Sequence, residues 1–512
     1  MMFSGIYLTS VFTVGRQQLW CVIALMSAVW ISGCGEGPQA EFKLRESTEN
    51  LIPSARSAVE ELLKKDFGVP NALVFLDRFP VDYGGAKGSV STVTGNKTLI
   101  VTVDGDAARI RKGASIVWLT GALATTPPAA RQTVSSFDET SKQLVLAGGT
   151  TSPAVGDQFA VGSGDDLQLG KQVYMKNCLH CHGVAGDGAG PTGQYLNPRP
   201  RDYRNGVFKF TSTQSGEKPT RDDLSRIVKD GVPGTYMPSF RSLGERETKS
   251  VVEYVRWLSI RGEFEKRLVA ELTSDFSLAA VNDTAEKATT AHAEKVKDIE
   301  KIADIPERSK AKEALGEPLG REKVLETAEG DFAKYQKDDL PDVIEETADF
   351  LTAAWTRAEE PSTIVVPSVP RVEDTPESRE RGRLLYLSDQ TKCYTCHGMT
   401  GRGDGSATED FWPKPGTKVK YSIRGLHDEW GQPLPPRNLT LGQYRGGRRP
   451  IDLFRRMYVG IKGTPMPAFG RTGLKDNEIW DVVNYVMSLP YATKSASPAA
   501  GQAMKVEEKR SQ

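Results

Sequence analysis

The sequence predicts a mainly α protein in which two copies of one compact segment are joined by a helical connector and preceded by a small β-rich module. Three observations carry this. Residues 167–261 and 378–491 repeat one another motif by motif, and the stretch between them is rich in Ala, Glu and Lys with few turn signals. Residues 70–166 instead alternate short apolar runs with Gly-, Asn- and Asp-containing turns.

Taken in order, the chain opens with Arg16, a thirteen-residue apolar run from Leu19 to Ile31, and Ser32-Gly33-Cys34. The run suits a signal peptide over 1–33 and is short for a transmembrane span. Ile31-Ser32-Gly33-Cys34 resembles the bacterial lipobox, which implies lipid on Cys34; the alternative is an uncleaved anchor with Cys34 incidental. Either way the remainder is expected on the periplasmic side of a bacterial membrane, tethered to it. Residues 34–69 read as a polar tether and a short helix, with Leu51, Ala55, Val59, Leu62 and Leu63 at helical spacing. In the β-rich module, strands are expected at Leu73–Leu76, Leu99–Val103, Ser115–Leu119 and Gln143–Leu146. Residues 262–377 are expected to be helical and to end in a linker marked by Pro361, Pro367 and Pro370. Residues 492–512, small and polar, are expected to be a flexible tail.

Composition limits the function. With 66 Lys+Arg against 66 Asp+Glu in 512 residues, the net charge is zero, which removes bulk electrostatics as a ground for nucleic-acid binding. A content of 38% hydrophobic and 26% charged residues excludes a multi-span membrane protein. Six cysteines and five histidines are few, and most of them cluster.

They cluster in the repeat. Each copy begins with Gly-x-x-x-Tyr (Gly170 and Tyr174; Gly382 and Tyr386) and continues with Cys-x-x-Cys-His-Gly-x-x-Gly-x-Gly, at Cys178–Gly188 and Cys393–Gly403. Pro-Arg-Asp-Tyr at 200–203 answers Pro-Arg-Asn-Leu at 436–439. Gly-Val-Pro-Gly-Thr-Tyr-Met-Pro-Ser-Phe at 231–240 answers Gly-Ile-Lys-Gly-Thr-Pro-Met-Pro-Ala-Phe at 460–469. Both copies close on a helix, Val251–Val255 and Val482–Val486.

Cys178-x-x-Cys181-His182 and Cys393-x-x-Cys396-His397 have the spacing of c-type haem attachment. Two cysteines three apart can each form a thioether with one porphyrin, and the following histidine is then held beneath the iron. A bare Cys-x-x-Cys would leave zinc or thiol chemistry open, but zinc lacks an evident fourth ligand at either site and a disulfide gives the histidine no role. The count then closes: Cys21 leaves with the signal, Cys34 takes lipid, and four cysteines take two haems.

For the sixth iron position, Met237 and Met466 align in Gly-Thr-x-Met-Pro-x-Phe, and the proline after each restricts the loop that presents the sulfur. The plainer reading, two apolar residues filling a crevice, stands beside ligation; identical context in both copies favours ligation. Met457 reads as core, and none of the spare histidines His180, His292 and His427 falls at a repeated position.

On these motifs each segment resembles a class I cytochrome c domain, and the whole resembles the lipid-anchored dihaem cytochromes c of bacterial respiratory chains. The resemblance implies two covalent c haems, at Cys178/Cys181 and Cys393/Cys396, with His182–Met237 and His397–Met466 as axial pairs. It also implies a close crossing of first and last helices, Gly170 against Tyr254 and Gly382 against Tyr485. The glycines after each histidine suit positive φ. Pro191 is a candidate for the carbonyl that orients His182. Arg201 and Arg437 are candidates to pair with haem propionates, or ordinary surface arginines.

The function expected is single-electron transfer without catalysis, between redox partners such as an oxidase, a dehydrogenase or a quinol-oxidising complex. The alternatives are a dihaem peroxidase-like enzyme, which needs an open axial site, and a cytochrome subunit of a larger complex. Eleven Lys/Arg against three acids between 414 and 462 suggest either a docking face for an acidic partner, centred on Arg448 and Arg449, or a solvated face that also neutralises propionates.

Overall fold

The computed structural model describes residues 40–492, save 76–77, 96, 105–106, 125–130, 163, 415–416 and 429–430. The expected signal segment, Cys34 and the tail beyond 492 lie outside the described residues. Among the described residues no helix is long and apolar enough to cross a membrane.

Helix α1 (Pro53–Phe67) starts on a proline, whose missing N–H costs nothing at a helix N-terminus, and ends at Gly68. Its buried residues Ala55, Val59, Leu63 and Phe67 recur every four positions and make one apolar face. The Phe67 ring lies 5.7 Å from Trp257 and 5.6 Å from Phe264, and the Ile52 N–H donates to the Phe276 carbonyl at 2.9 Å. Within 34–69, read as a polar tether and a short helix, this helix packs into the core of the first repeat.

After a small antiparallel pair (Gly68–Val69 with Ala72–Leu73) comes a six-stranded antiparallel sheet: β1 (Ala86–Val93), β2 (Thr98–Asp104), β3 (Ile116–Trp118), β4 (Thr133–Asp138), β5 (Gln143–Ala147) and β6 (Gln158–Val161), in the spatial order β3-β6-β1-β2-β5-β4. A bridge between Ser115 and Thr133 joins the two outer strands, with the Ile116 N–H on the Gln132 carbonyl at 2.8 Å. The sheet is thereby closed into a small barrel, which leaves fewer bare strand edges. Val90, Leu99, Val101, Ile116, Leu144, Phe159 and Val161 fill it.

The first repeat holds α2 (Asp165–Asn177), α3 (Leu179–His182), α4 (Arg221–Asp230) and α5 (Glu245–Phe276). Thr220 and Asp223 form a reciprocal capping box on α4. Helix α5 is a single helix of 32 residues, about 48 Å long, that runs on past the boundary expected at 261. Leu268, Val269, Leu272 and Phe276 continue the buried face past that point. The connector consists of α6 (Leu278–Glu300), α7 (Ile305–Leu315), α8 (Arg321–Asp338) and α9 (Leu340–Arg357). It folds back onto the same core: the Trp355 indole N–H donates to Glu263 at 2.9 Å, and buried Arg256 donates to Glu359 at 2.8 Å and to the Pro80 carbonyl at 3.0 Å. The proline-marked segment is pinned as well, with Gln214 N–H on Thr363 O at 2.8 Å and Val365 N–H on Ser212 O at 2.9 Å.

The second repeat has the corresponding α10 (Pro376–Tyr386), α11 (Cys393–His397), α12 (Pro450–Val459) and α13 (Asp476–Ser488). Its own core gathers Tyr386, Phe454, Ile479, Trp480, Val482 and Val483.

Candidate functional site

The two copies place their chemistry by the same devices. In each, first and last helices cross at a glycine. A Cβ on Gly170 would overlap the Ser250 carbonyl oxygen and lie 3.0 Å from the Tyr254 Cβ. A Cβ on Gly382 would overlap the Asp481 carbonyl oxygen and lie 2.9 Å from the Tyr485 Cβ. The tyrosine one turn later does work that the sequence reading did not assign. The Tyr174 hydroxyl donates to the Gly183 carbonyl at 2.8 Å, and the Tyr386 hydroxyl to the Gly398 carbonyl at 2.7 Å. Both tyrosines are buried, and both carbonyls belong to the residue after the motif histidine. Gly183 and Gly398 have φ of 76° and 77°, which turns the chain sharply out of the short helix. The repeated four-residue spacing was the available signal for this anchor.

The methionine loops are near copies. Val232 N–H donates to Met237 O at 3.1 Å and Ile461 N–H to Met466 O at 3.3 Å; Met237 N–H and Met466 N–H donate to Thr235 Oγ1 at 3.2 Å and Thr464 Oγ1 at 3.3 Å. Each threonine hydroxyl in turn donates to the carbonyl of Val232 (2.8 Å) or Ile461 (2.7 Å). A closed ring of bonds holds each loop, with the Met side chain as its projecting group.

Both motifs and both loops open onto one continuous cavity of about 430 Å³. Cys178, Cys181, His182 and Met237 line it from the first repeat, and Cys393, Cys396, His397 and Met466 from the second. None of these four cysteines is in a disulfide. Burial pushes the Cys178 thiol up to about 12 and the Cys393 thiol upward as well. Burial drives His182 down to about 4 and also lowers His397, so both imidazoles are neutral at pH 7, the form that binds a metal through nitrogen. His180, His292 and His427 do not line the cavity: His180 is exposed, the His292 Nε2 sits 2.7 Å from Gly316 O, and His427 stacks on Tyr421 at 3.9 Å.

Pro191 is corrected. It is exposed and does not line the cavity. The carbonyl at His397 Nδ1 is that of Arg437, at 3.1 Å, and the backbone of Arg201 acts on His182, whose buried Nδ1 makes no hydrogen bond of ordinary geometry. Arg437 thus orients His397 through its main chain, and Arg201 and Arg437 both line the cavity. The basic stretch is corrected too, since much of it turns inward. Arg456 donates to Gly447 O and stacks at 5.7 Å over Phe210, Arg455 donates to Val365 O, and Lys462 donates to Thr211 Oγ1 at 3.2 Å and Glu217 O at 2.5 Å. Even exposed Arg448 and Arg449 are engaged, with the Tyr491 hydroxyl and with Asp452.

A haem c fits this donor set. The cavity walls carry Val251, Val255, Leu224, Leu453, Val482 and Val486 for an apolar disc. Among the described residues Arg201, Arg437, Arg445 and Arg456 line the cavity with a single carboxylate, Asp428, and the buried Arg445 Nε has no partner. That is a cationic surplus suited to propionates.

Residues 167–259 and 380–490 match the cytochrome c family model. Two segments of the chain are thus similar to cytochrome c, a family whose chemistry is covalently bound haem and electron transfer. No curated protein matches the chain. Among solved structures, a chain of the reducing HAO-like protein complex of Kuenenia stuttgartiensis is similar at 24% identity, over 63% of this chain and 96% of that one, with a TM-score of 0.38.

Proposed function

We propose, from these two segments similar to cytochrome c, that the chain is a dihaem c-type cytochrome that passes single electrons between respiratory protein partners. The observation that carries the reading is the one cavity into which two complete Cys-Cys-His-Met sets converge. Cys178/Cys181 and Cys393/Cys396 would hold the two haems through thioethers, and His182 with Met237 and His397 with Met466 would bind their irons. The bound haem supplies the one-electron iron couple. The chain's own residues do the rest. Buried neutral histidines are presented by short helices anchored through Tyr174 and Tyr386, the methionines by hydrogen-bonded loops, and the apolar walls exclude water. Thioether ligands set a higher potential than a second imidazole would. With both axial positions filled from the chain no substrate site remains at iron, which makes the protein a carrier rather than a catalyst. Lipid on Cys34 and a periplasmic address belong to this proposal and rest on the N-terminal sequence.

Haem quantitation and optical spectra of the full chain test it. Two low-spin haems per chain are expected, with the weak red band of ferric Met-ligated iron. His182→Ala and His397→Ala should each leave the other haem intact, because each copy carries its own ligand set. A high-spin ferric haem with rapid peroxide turnover would overturn the carrier reading, and loss of both haems in either variant would overturn the independence of the sites.

A further inference from the structure

The two arginines of the repeated Pro-Arg motif reach across from one repeat to the other. Arg201 stands in the first repeat, yet its Nη2 donates to the Lys462 carbonyl at 3.3 Å, and a Cβ on Gly463 would lie 3.2 Å from its Nη1. Gly463 is three residues ahead of Met466. Arg437 approaches the opposite loop by contact: its guanidinium, held by Nε and Nη2 bonds to Gln443 of its own repeat at 2.8 and 2.9 Å, lies so close against Gly234, three residues ahead of Met237, that a Cβ there would overlap it. Gly234 and Gly463 hold equivalent places in the two loops, as Arg201 and Arg437 do in the two motifs. Each arginine also turns its main chain toward the histidine of its own repeat. One residue therefore touches the histidine of one site and the methionine loop of the other, and its counterpart does the reverse.

The surroundings hold the loops in this relation. Arg226 of α4 pairs with Asp452 of α12, and Asp223 of α4 acts on Arg455 of α12 against the burial that lowers it. The glycines matter because φ of +72° at Gly234 and +71° at Gly463 presents bare backbone on which a planar guanidinium can lie.

We propose that Arg201 and Arg437 are positioning residues that act across the interface, each holding the methionine loop of the opposite repeat in place over its iron. The proposal rests on the His/Met ligation above. A thioether is a weak ligand, and its hold depends on a loop that cannot move away. Without its brace the loop releases methionine more readily, and a competing ligand binds more tightly.

The test uses the full-length, haem-loaded chain carrying Met237→His, in which Met466 is the remaining displaceable ligand. Ferric protein is titrated with imidazole and followed optically. A parent without a Met signature would overturn the ligand assignment, and this proposal with it, before any arginine is changed. Given that signature, Arg201→Gln is expected to tighten imidazole binding about tenfold, the worth of roughly one hydrogen bond to a charged group. Arg437→Gln removes a cation from the cavity beside Met466 but no brace on its loop, and is expected to shift the affinity less than Arg201→Gln does. Arg201→Lys keeps the charge but not the planar fork and should shift affinity in the same direction as the Gln change. In a Met466→His background the two arginines should exchange roles. An unchanged affinity in Arg201→Gln and Arg201→Lys, or an equal or larger effect from Arg437→Gln, would show that each arginine serves only its own repeat and overturn the proposal.

Discussion

Two glycines in helices should respond to the same substitution with opposite sign. Gly382 lies where α10 crosses α13. A Cβ there would sit 2.5 Å from the Asp481 carbonyl carbon and 2.9 Å from the Tyr485 Cβ. Ordinary carbon contacts begin near 3.5 Å, so about 1 Å of overlap must be relieved. The obstacle is helix backbone and cannot rotate aside, which places the overpacking cost at the upper end of its usual range, about 3 kcal/mol. Alanine returns about 1 kcal/mol of helix propensity, leaving Gly382→Ala about 2 kcal/mol less stable. Gly330, exposed within α8, has nothing within 4 Å of its would-be Cβ. Gly330→Ala keeps the propensity gain and should stabilise by about 1 kcal/mol. With a urea slope of about 2 kcal/mol/M the midpoints should move by about 1 M down and about 0.5 M up. Far-UV circular dichroism and haem absorbance would follow the transitions of the loaded chain. Midpoints that move in the same direction, or a neutral Gly382→Ala, would refute the close crossing as the reason for glycine there.

Tyr386→Phe removes a buried hydroxyl that donates to Gly398 O at 2.7 Å and should destabilise the second domain by about 1–3 kcal/mol, read as a lower urea midpoint. Lys462 is driven by burial from 10.5 down to about 8. Between those values the unfolded chain holds a proton that the folded chain has released, so stability should rise with pH across that window, by at most about 3 kcal/mol. Subtracting the pH profile of Lys462→Met, in which that rise should be missing, isolates the contribution. Met466→His should keep the haem attached and lower its potential, measured by spectroelectrochemistry, since a second imidazole favours ferric iron more than a thioether does.

The repeated Cys-x-x-Cys-His segments and the Met-Pro loops, which line one cavity, were legible in the sequence as fixed residue types at fixed spacing in both copies. The glycine crossing was legible only through the family resemblance. The helices were legible where apolar periodicity was strong, as in α1, but not what they pack against. Nothing in Leu51–Leu63 says that its face meets Trp257 and Phe264 from a helix two hundred residues on. Strands β2, β3 and β5 announced themselves by branched apolar runs. Strands β1 and β4 did not, because Ala-Lys-Gly-Ser-Val-Ser-Thr-Val and Thr-Val-Ser-Ser-Phe-Asp carry many small and polar residues whose place is set by their barrel neighbours. The basic stretch misled for a related reason. Charge counted along a chain does not say which side of the chain faces water, and Arg455, Arg456 and Lys462 spend their charge on interior carbonyls.

Repetition was the strongest signal in this sequence, and it also concealed something. In a single domain, a residue conserved between two tandem copies would be credited to the site that each copy holds. When the copies also face each other reciprocally, contact residues must appear in both, as in any interface whose two sides are equivalent. Asp223 and Arg226 recur as Asp452 and Arg455, and the structure uses them between the repeats. Arg201 and Arg437 recur for both reasons at once, main chain to the near histidine and guanidinium to the far loop. Sequence comparison of the copies cannot separate these causes, because both predict the same pair of arginines. Only the partners of the side chain distinguish them: the Arg201 guanidinium donates to the Lys462 carbonyl of the other repeat, while that of Arg437 donates to Gln443 of its own and lies against Gly234 of the other.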